Sequence, residues 1–176
     1  MEKDTSKGDS AITKKSDPAK LHAKTQEYLF FQIYVMSQYF FDNYGVEELE
    51  KFFRFGQESF FNLKMSAIYK MMEGVVKRLP KSLQIKEGLK MMVDEMEFLE
   101  SPKNVVIRER TSERAVFEIT KCSMRKEFNR LAKKANREEL LDKCCLWCFE
   151  SIPYTEKYGY KYLIKVTKTG CLNYIE

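Results

Sequence analysis

The chemistry in this chain is concentrated in its five cysteines. Cys122 lies where a run that alternates like a strand gives way to a run with helical period. Exposed N–H groups and the dipole at a helix N-terminus stabilise a thiolate, and Arg125 and Lys126 would act in the same direction. Cys122 is therefore a candidate nucleophile, set against the plainer reading of a small apolar residue packed at a helix start. A thiol nucleophile needs a base. The one histidine, His22, sits far away at the start of the helical part. Glu118 precedes Cys122 by four residues, so on an extended chain the two share a face. Glu118 is the candidate base, set against an exposed, solvated strand residue.

Cys145-Leu-Trp-Cys148, with Cys144 adjacent, is a C-x-x-C on a segment of helical character. Side chains three apart on a helix point the same way, so both sulfurs could reach one metal ion. Cys171 and Cys122 would complete a tetrahedral zinc site. Structural zinc sites usually carry a second C-x-x-C or a histidine pair, and here there is one pair plus single cysteines. Buried core thiols are the competing reading. Thioredoxin-like redox chemistry has less support, because the C-x-x-C does not open a helix after a strand. Gly-rich phosphate loops are absent, so nucleotide binding has no sequence support.

Composition narrows the partners. Formal net charge is +5 and is dispersed along the sequence; a nucleic-acid binder usually shows a concentrated basic stripe, so no nucleic-acid partner is expected. No apolar run in residues 1–20 resembles a signal peptide, and the most apolar stretch, residues 28–41, is interrupted by polar side chains and too short to span a bilayer. A cytoplasmic protein with no membrane partner is expected. In a reducing compartment, cysteines serve as thiols or metal ligands rather than disulfides.

The elements that must position these residues follow from periodicity. Residues 1–20 are polar and read as a disordered tail; residues 21–176 read as one α+β domain. Three helices are expected over 21–43, 46–79 and 82–99. The first is apolar nearly all round, so it should be buried on most sides, although it could instead wall a pocket or form a dimer seam. Asp42-Asn-Tyr-Gly45 supplies its Gly stop. Gly56 marks a bend or a close helix contact in the second. The helical part ends near residue 101. Over 102–176 the period changes, with strands expected at 104–110 and 114–120 joined by a turn at 110–113. A helix follows from Ser123, and then Asn136-Arg-Glu-Glu139 reads as a capping box opening the cysteine helix. Strands at 160–167 and 171–176 flank a turn at 168–170. The fold class is thus α+β: about three N-terminal helices, then a small antiparallel sheet of about four strands with two helices between the hairpins.

The order of features from Glu118 onward resembles the L-2-amino-thiazoline-4-carboxylic acid hydrolase family. The matching pieces are Lys121-Cys122, Asn136-Arg-Glu-Glu-Leu140, Cys145 to Cys148, Ile164-Lys-Val-Thr-Lys-Thr169 and Gly170-Cys171. Leu172 and Asn173 stand where the family's terminal strand carries an aspartate. The resemblance implies C–N hydrolysis that opens a small heterocyclic ring, with no cofactor required. Cys122 would then be nucleophile, and Arg125 or Lys126 would bind a substrate carboxylate. Cys145, Cys148 and Cys171 would be supporting or metal-binding. The terminal cysteine-containing hairpin also resembles 4-vinyl reductase type ligand-binding domains, which implies a non-catalytic small-molecule sensor able to hold zinc through cysteines. A third reading is an interaction protein whose aromatic helices form a homodimer.

Overall fold

In the computed structural model, residues 17–64 and 74–176 are described. The expected disordered tail therefore lies outside the described residues, apart from its last four positions. Three of these already belong to the first helix, α1 (Pro18–Tyr44), and the fourth, Asp17, caps it by accepting from the Ala19 N–H; Pro18 occupies its first turn, where a missing N–H costs nothing. Gly45, at φ 83°, ends α1 as the sequence predicts and turns directly into α2 (Val46–Ser59).

α2 is shorter than the expected 46–79. It passes into a π-helical turn, Phe60–Lys64. Positions 65–73 of the expected span lie outside the described residues, and residues 74–76 are again helical. The third helix, α3 (Lys81–Leu99), starts after Pro80.

The second half is an antiparallel sheet of β1 (Val105–Arg110), β2 (Ala115–Ile119), β3 (Tyr162–Val166) and β4 (Cys171–Ile175), in the order β1-β2-β4-β3. The fold is α+β, as expected. Between the two hairpins lie α4 (Ser123–Lys134), a 3-10 turn at Glu138–Leu140, and two short helices, α5 (Cys145–Phe149) and α6 (Ile152–Thr155). The two hairpins meet along β2 and β4, with Ile119 opposite Cys171 and Ala115 opposite Ile175.

The apolar residues form two cores. In one, α3 packs Ile85, Leu89 and Met92 against Ala115, Phe117 and Ile119 of β2 and Ile175 of β4. In the other, Phe30 and Tyr34 of α1 meet Met124, Phe128 and Ala132 of α4 together with Leu140 and Cys144. Cys122 packs against both.

Two expectations are corrected. α1 is not buried on most sides. Phe30, Tyr34 and Ser37, one stripe of spacing four and three, are buried, while Tyr28, Phe31, Val35 and Tyr39 on the other side are exposed. Nor does Asn136 open a helix. It sits at φ 55°, past the end of α4, where its N–H donates to the Lys133 carbonyl and the Arg137 N–H to that of Ala132. This is a Schellman stop, a role Asn can fill because it tolerates the left-handed region. The turn that follows has no side-chain cap.

Glycine sets two close approaches. Gly56 of α2 faces the Trp147 ring of α5, which a Cβ would meet at 3.2 Å, so the close helix contact read from the sequence is present. Gly170 lies so tight against the end of β2 that a Cβ would stand 1.7 Å from the Ile119 carbonyl oxygen. That approach seats Cys171 opposite Ile119. Gly170→Ala must push the two hairpins apart and is expected to cost at least ~3 kcal/mol, read as a fall in the urea midpoint with an unchanged slope.

Candidate functional site

All five cysteines line one small hollow of about 40 Å³ where the two cores meet. Three segments deliver them. Cys122 is the N-cap of α4, where its Sγ accepts the Arg125 N–H at 3.4 Å, and its own N–H donates to Thr169 in the β3–β4 turn at 2.9 Å. Cys144 and Cys145 come from the start of α5 and Cys148 from its last turn, in accord with the same-face spacing of a C-x-x-C. Cys171 opens β4, and the Asn173 amide donates to its Sγ at 3.4 Å. Asn173 is itself held by the buried Tyr162 hydroxyl, at 2.8 Å. Met96, Leu99, Ile119 and Ile164 supply apolar wall. A second hollow, also about 40 Å³, lies beside the first and shares Cys148 and Cys171 with it. Each has room for a few atoms, since a single water needs ~10–15 Å³ by the same kind of measure.

Arg125 fixes the hollow's polar edge. Its Nε and Nη2 donate to the two Asp142 oxygens at 2.6 and 2.8 Å, and its Nη1 donates to the Thr167 carbonyl at 2.6 Å. Asn129 holds the same carboxylate at 2.7 Å and accepts the Asp142 N–H at 2.9 Å. Asp142 stands at φ 61°, a conformation that a non-glycine residue keeps only when its surroundings over-determine it. This network supplies that constraint and fixes the start of the segment carrying Cys144 and Cys145.

The electrostatics reverse the expected order of the thiols. Burial pushes the Cys122 thiol up to about 12, outweighing the Arg125 N–H, and the nearby Glu100 carboxylate adds to the rise. Cys148 and Cys171 are likewise raised, chiefly by burial. Cys145 alone is lowered, because the Cys144 thiol donates a hydrogen bond to it and the Arg125 cation lies near. The helix-start argument placed the reactive thiol at Cys122; desolvation overrides it there, and Cys145 is the thiol that is lowered.

Glu118 does not reach the hollow. β2 ends at Ile119 and the chain turns before Cys122, so the extended-chain parity fails. Ile119 faces the hollow, while Glu118 lies on the other side of the sheet, bonded to Arg108 at 2.7 Å. Arg125 is committed to Asp142 and Thr167. Lys126 is exposed and lies outside the hollow. The sequence reading missed Glu100, which is buried in the wall. Its Oε1 accepts the Ser123 N–H at 2.6 Å, and its Oε2 has no hydrogen-bond partner among the described residues. No pattern marked it, since it lies past the end of α3. Among the described residues no three His, Cys, Asp or Glu side chains are arranged to hold a metal ion, and no helix is long and apolar enough to cross a membrane.

Comparison with known protein families, curated proteins and solved structures finds no match.

The Arg125 network has a pH signature. Hydrogen bonds from Arg125, then from Asn129, hold the Asp142 carboxyl below its usual range. A depressed carboxylate stabilises the fold above its unfolded pKa, and that contribution is lost as pH falls through the folded value. Stability should therefore drop as pH falls below ~4, and Asp142→Asn should reduce the drop. Arg125→Met, which leaves the Thr167 carbonyl and the carboxylate without their donor, is expected to cost on the order of 1–3 kcal/mol at pH 7 by urea unfolding.

Proposed function

We propose that this chain is a small-ligand-binding module that senses its ligand through the cysteine-lined hollow, without catalysis. The convergence of five thiols from three segments on one apolar space carries this reading. Binding sites are mostly apolar hollows with a few placed polar groups, and here those groups are Arg125, Glu100 and the thiols. Catalysis by Cys122 has less support: its thiol stays protonated near neutral pH, and Glu118, the residue named as its base, is bonded elsewhere.

The hollow's chemistry favours a soft, compact occupant. Thiol sulfur is polarisable and the wall is apolar. A thiophilic ion such as zinc is the simplest candidate. Its binding would require Cys145, Cys148 and Cys171 to close on it, each giving up a proton. The sensor reading is the one that resembles 4-vinyl reductase type domains.

A second reading keeps the ring-opening hydrolase and has one observation in its favour: the lowered Cys145 thiol beside Arg125. In that case Cys145, not Cys122, would attack.

One labelling experiment separates the readings. Iodoacetamide at neutral pH should modify Cys145 at least ten-fold faster than Cys122, because the thiolate is the nucleophile. One equivalent of zinc should suppress that labelling. At 100 times its Kd it should stabilise the protein by about 2.7 kcal/mol, and Cys145→Ser should lose both effects. Unchanged labelling and stability with zinc, together with turnover of 2-amino-thiazoline-4-carboxylate that Cys145→Ser abolishes, would replace the sensor by the enzyme. The exposed aromatic side of α1 supports the homodimer reading, which a mass that does not rise with concentration would remove.

A further inference from the structure

The sequence shows no basic stripe, yet the fold makes one. Beside the hollow runs an open groove of about 740 Å³. Seven cationic side chains line it and no acidic one does, more than the whole chain's net excess of +5. Lys103, Lys121 and Lys168 stand on three loops at one end of the sheet. Lys126, Arg130 and Lys133 continue along one face of α4, at helical spacings of four and three. All six are exposed. The five lysines have no ion partner among the described residues, and Arg130 alone is paired, with Glu127.

The supports under these charges are fixed. The Thr120 N–H donates to the Asn104 carbonyl at 2.8 Å, and the Cys122 N–H donates to Thr169 at 2.9 Å. The Thr169 hydroxyl donates to the Thr120 carbonyl at 2.8 Å. The three lysine-bearing loops are thus bonded to one another. Arg125, at the groove's inner edge, ties α4 to the same turn through the Thr167 carbonyl.

We propose that this groove binds a nucleic-acid duplex through its phosphates. Unpaired lysines held along a rigid concave track match a regular line of phosphates, and displaced counterions drive such binding. No aromatic side chain lines the groove, so nothing there stacks on an unpaired base. No large aliphatic side chain rises from it either, which disfavours a membrane surface, where apolar side chains insert between lipids. With no aromatic platform, and with Arg125 and Arg130 already engaged by Asp142 and Glu127, contact is made by lysines to the backbone and is independent of base sequence. α4 is ~18 Å long at 1.5 Å per residue. Each of the five unpaired lysines can neutralise one phosphate, about five in all.

The full chain would be titrated into fluorescently labelled 20-base-pair duplexes, one DNA and one RNA, at 50 mM salt, with anisotropy as the readout. Binding to either duplex is expected, with a log–log salt slope of about −4 to −5 and roughly a 500-fold loss between 50 and 200 mM salt. The double variant K126E/K133E should bind at least 30-fold more weakly. K86E/K90E makes the same change of charge on α3 and should stay within three-fold of the parent. All four lysines are exposed, so both variants should keep the parental melting curve. No duplex binding at 50 mM salt, or equal losses in the two variants, would overturn the proposal. So would capture by phosphatidylserine vesicles of a chain that ignores both duplexes.

Discussion

One guanidinium holds the second half of this fold in register. Arg125 is the third residue of α4, yet its guanidinium reaches the β3–β4 turn through Thr167 and the pre-α5 loop through Asp142 with three donated bonds. Those are the segments that carry Cys171 and the Cys144–Cys148 group, and Cys122 caps the helix Arg125 stands on. A planar fork can meet a carboxylate with two bonds and still spare a third for a carbonyl; a lysine at the same place could not. The left-handed Asp142 follows from this. The carboxylate is presented where Arg125 and Asn129 can both use it, and the backbone adopts an uncommon conformation to put it there.

With the segments so fixed, the thiols meet where neither core is complete. The α3–sheet core supplies Ile119 and Ile164, and the α1–α4 core supplies Met124 and Cys144. A cysteine is small, so a junction lined with five of them is less filled than one lined with leucine or phenylalanine. That is how a hollow survives between two close-packed cores. The same setting governs reactivity. Burial disfavours charge, and a thiol is lowered only where a hydrogen-bond donor and a cation outweigh that burial, as they do at Cys145.

The sheet, α3 and α4 were legible because they obey a period. Ala115, Phe117 and Ile119 alternate, Met124 and Phe128 recur at four, and the core sits where those residues put it, although Ala132 and not Ala135 completes the buried face of α4. The Asn136 segment misled because Asn followed by acidic residues suits a helix start as well as the turn after a helix stop, and only backbone dihedrals distinguish them. α1 misled for another reason. Periodicity reports which side chains are apolar, not how much neighbouring surface exists to cover them. With all sides apolar, the sequence held no signal for which stripe would be buried. At the site, residue types were enough to bring the cysteines into consideration. Their ranking was not legible, because it depends on burial and on what Arg125 and Glu118 are bonded to, and these are tertiary facts.

Charge shows the same limit at longer range. Lys103, Lys121, Lys126, Lys133 and Lys168 are spread over more than sixty positions, and each looks like an ordinary solvated lysine among its sequence neighbours. The turns that precede β1, end β2 and join β3 to β4 bring three of them to one rim, and the pitch of α4 aligns the rest. Like charges held close in this way repel, which works against the fold unless water and ions screen them. A protein that carries unpaired lysines on loops bonded to each other keeps that repulsion in its resting state, and an anionic ligand would relieve it. Cys122 and Arg125 line both the groove and the thiol hollow. The charged face and the soft interior thus share one wall, and any movement of Arg125 away from Asp142 would alter both.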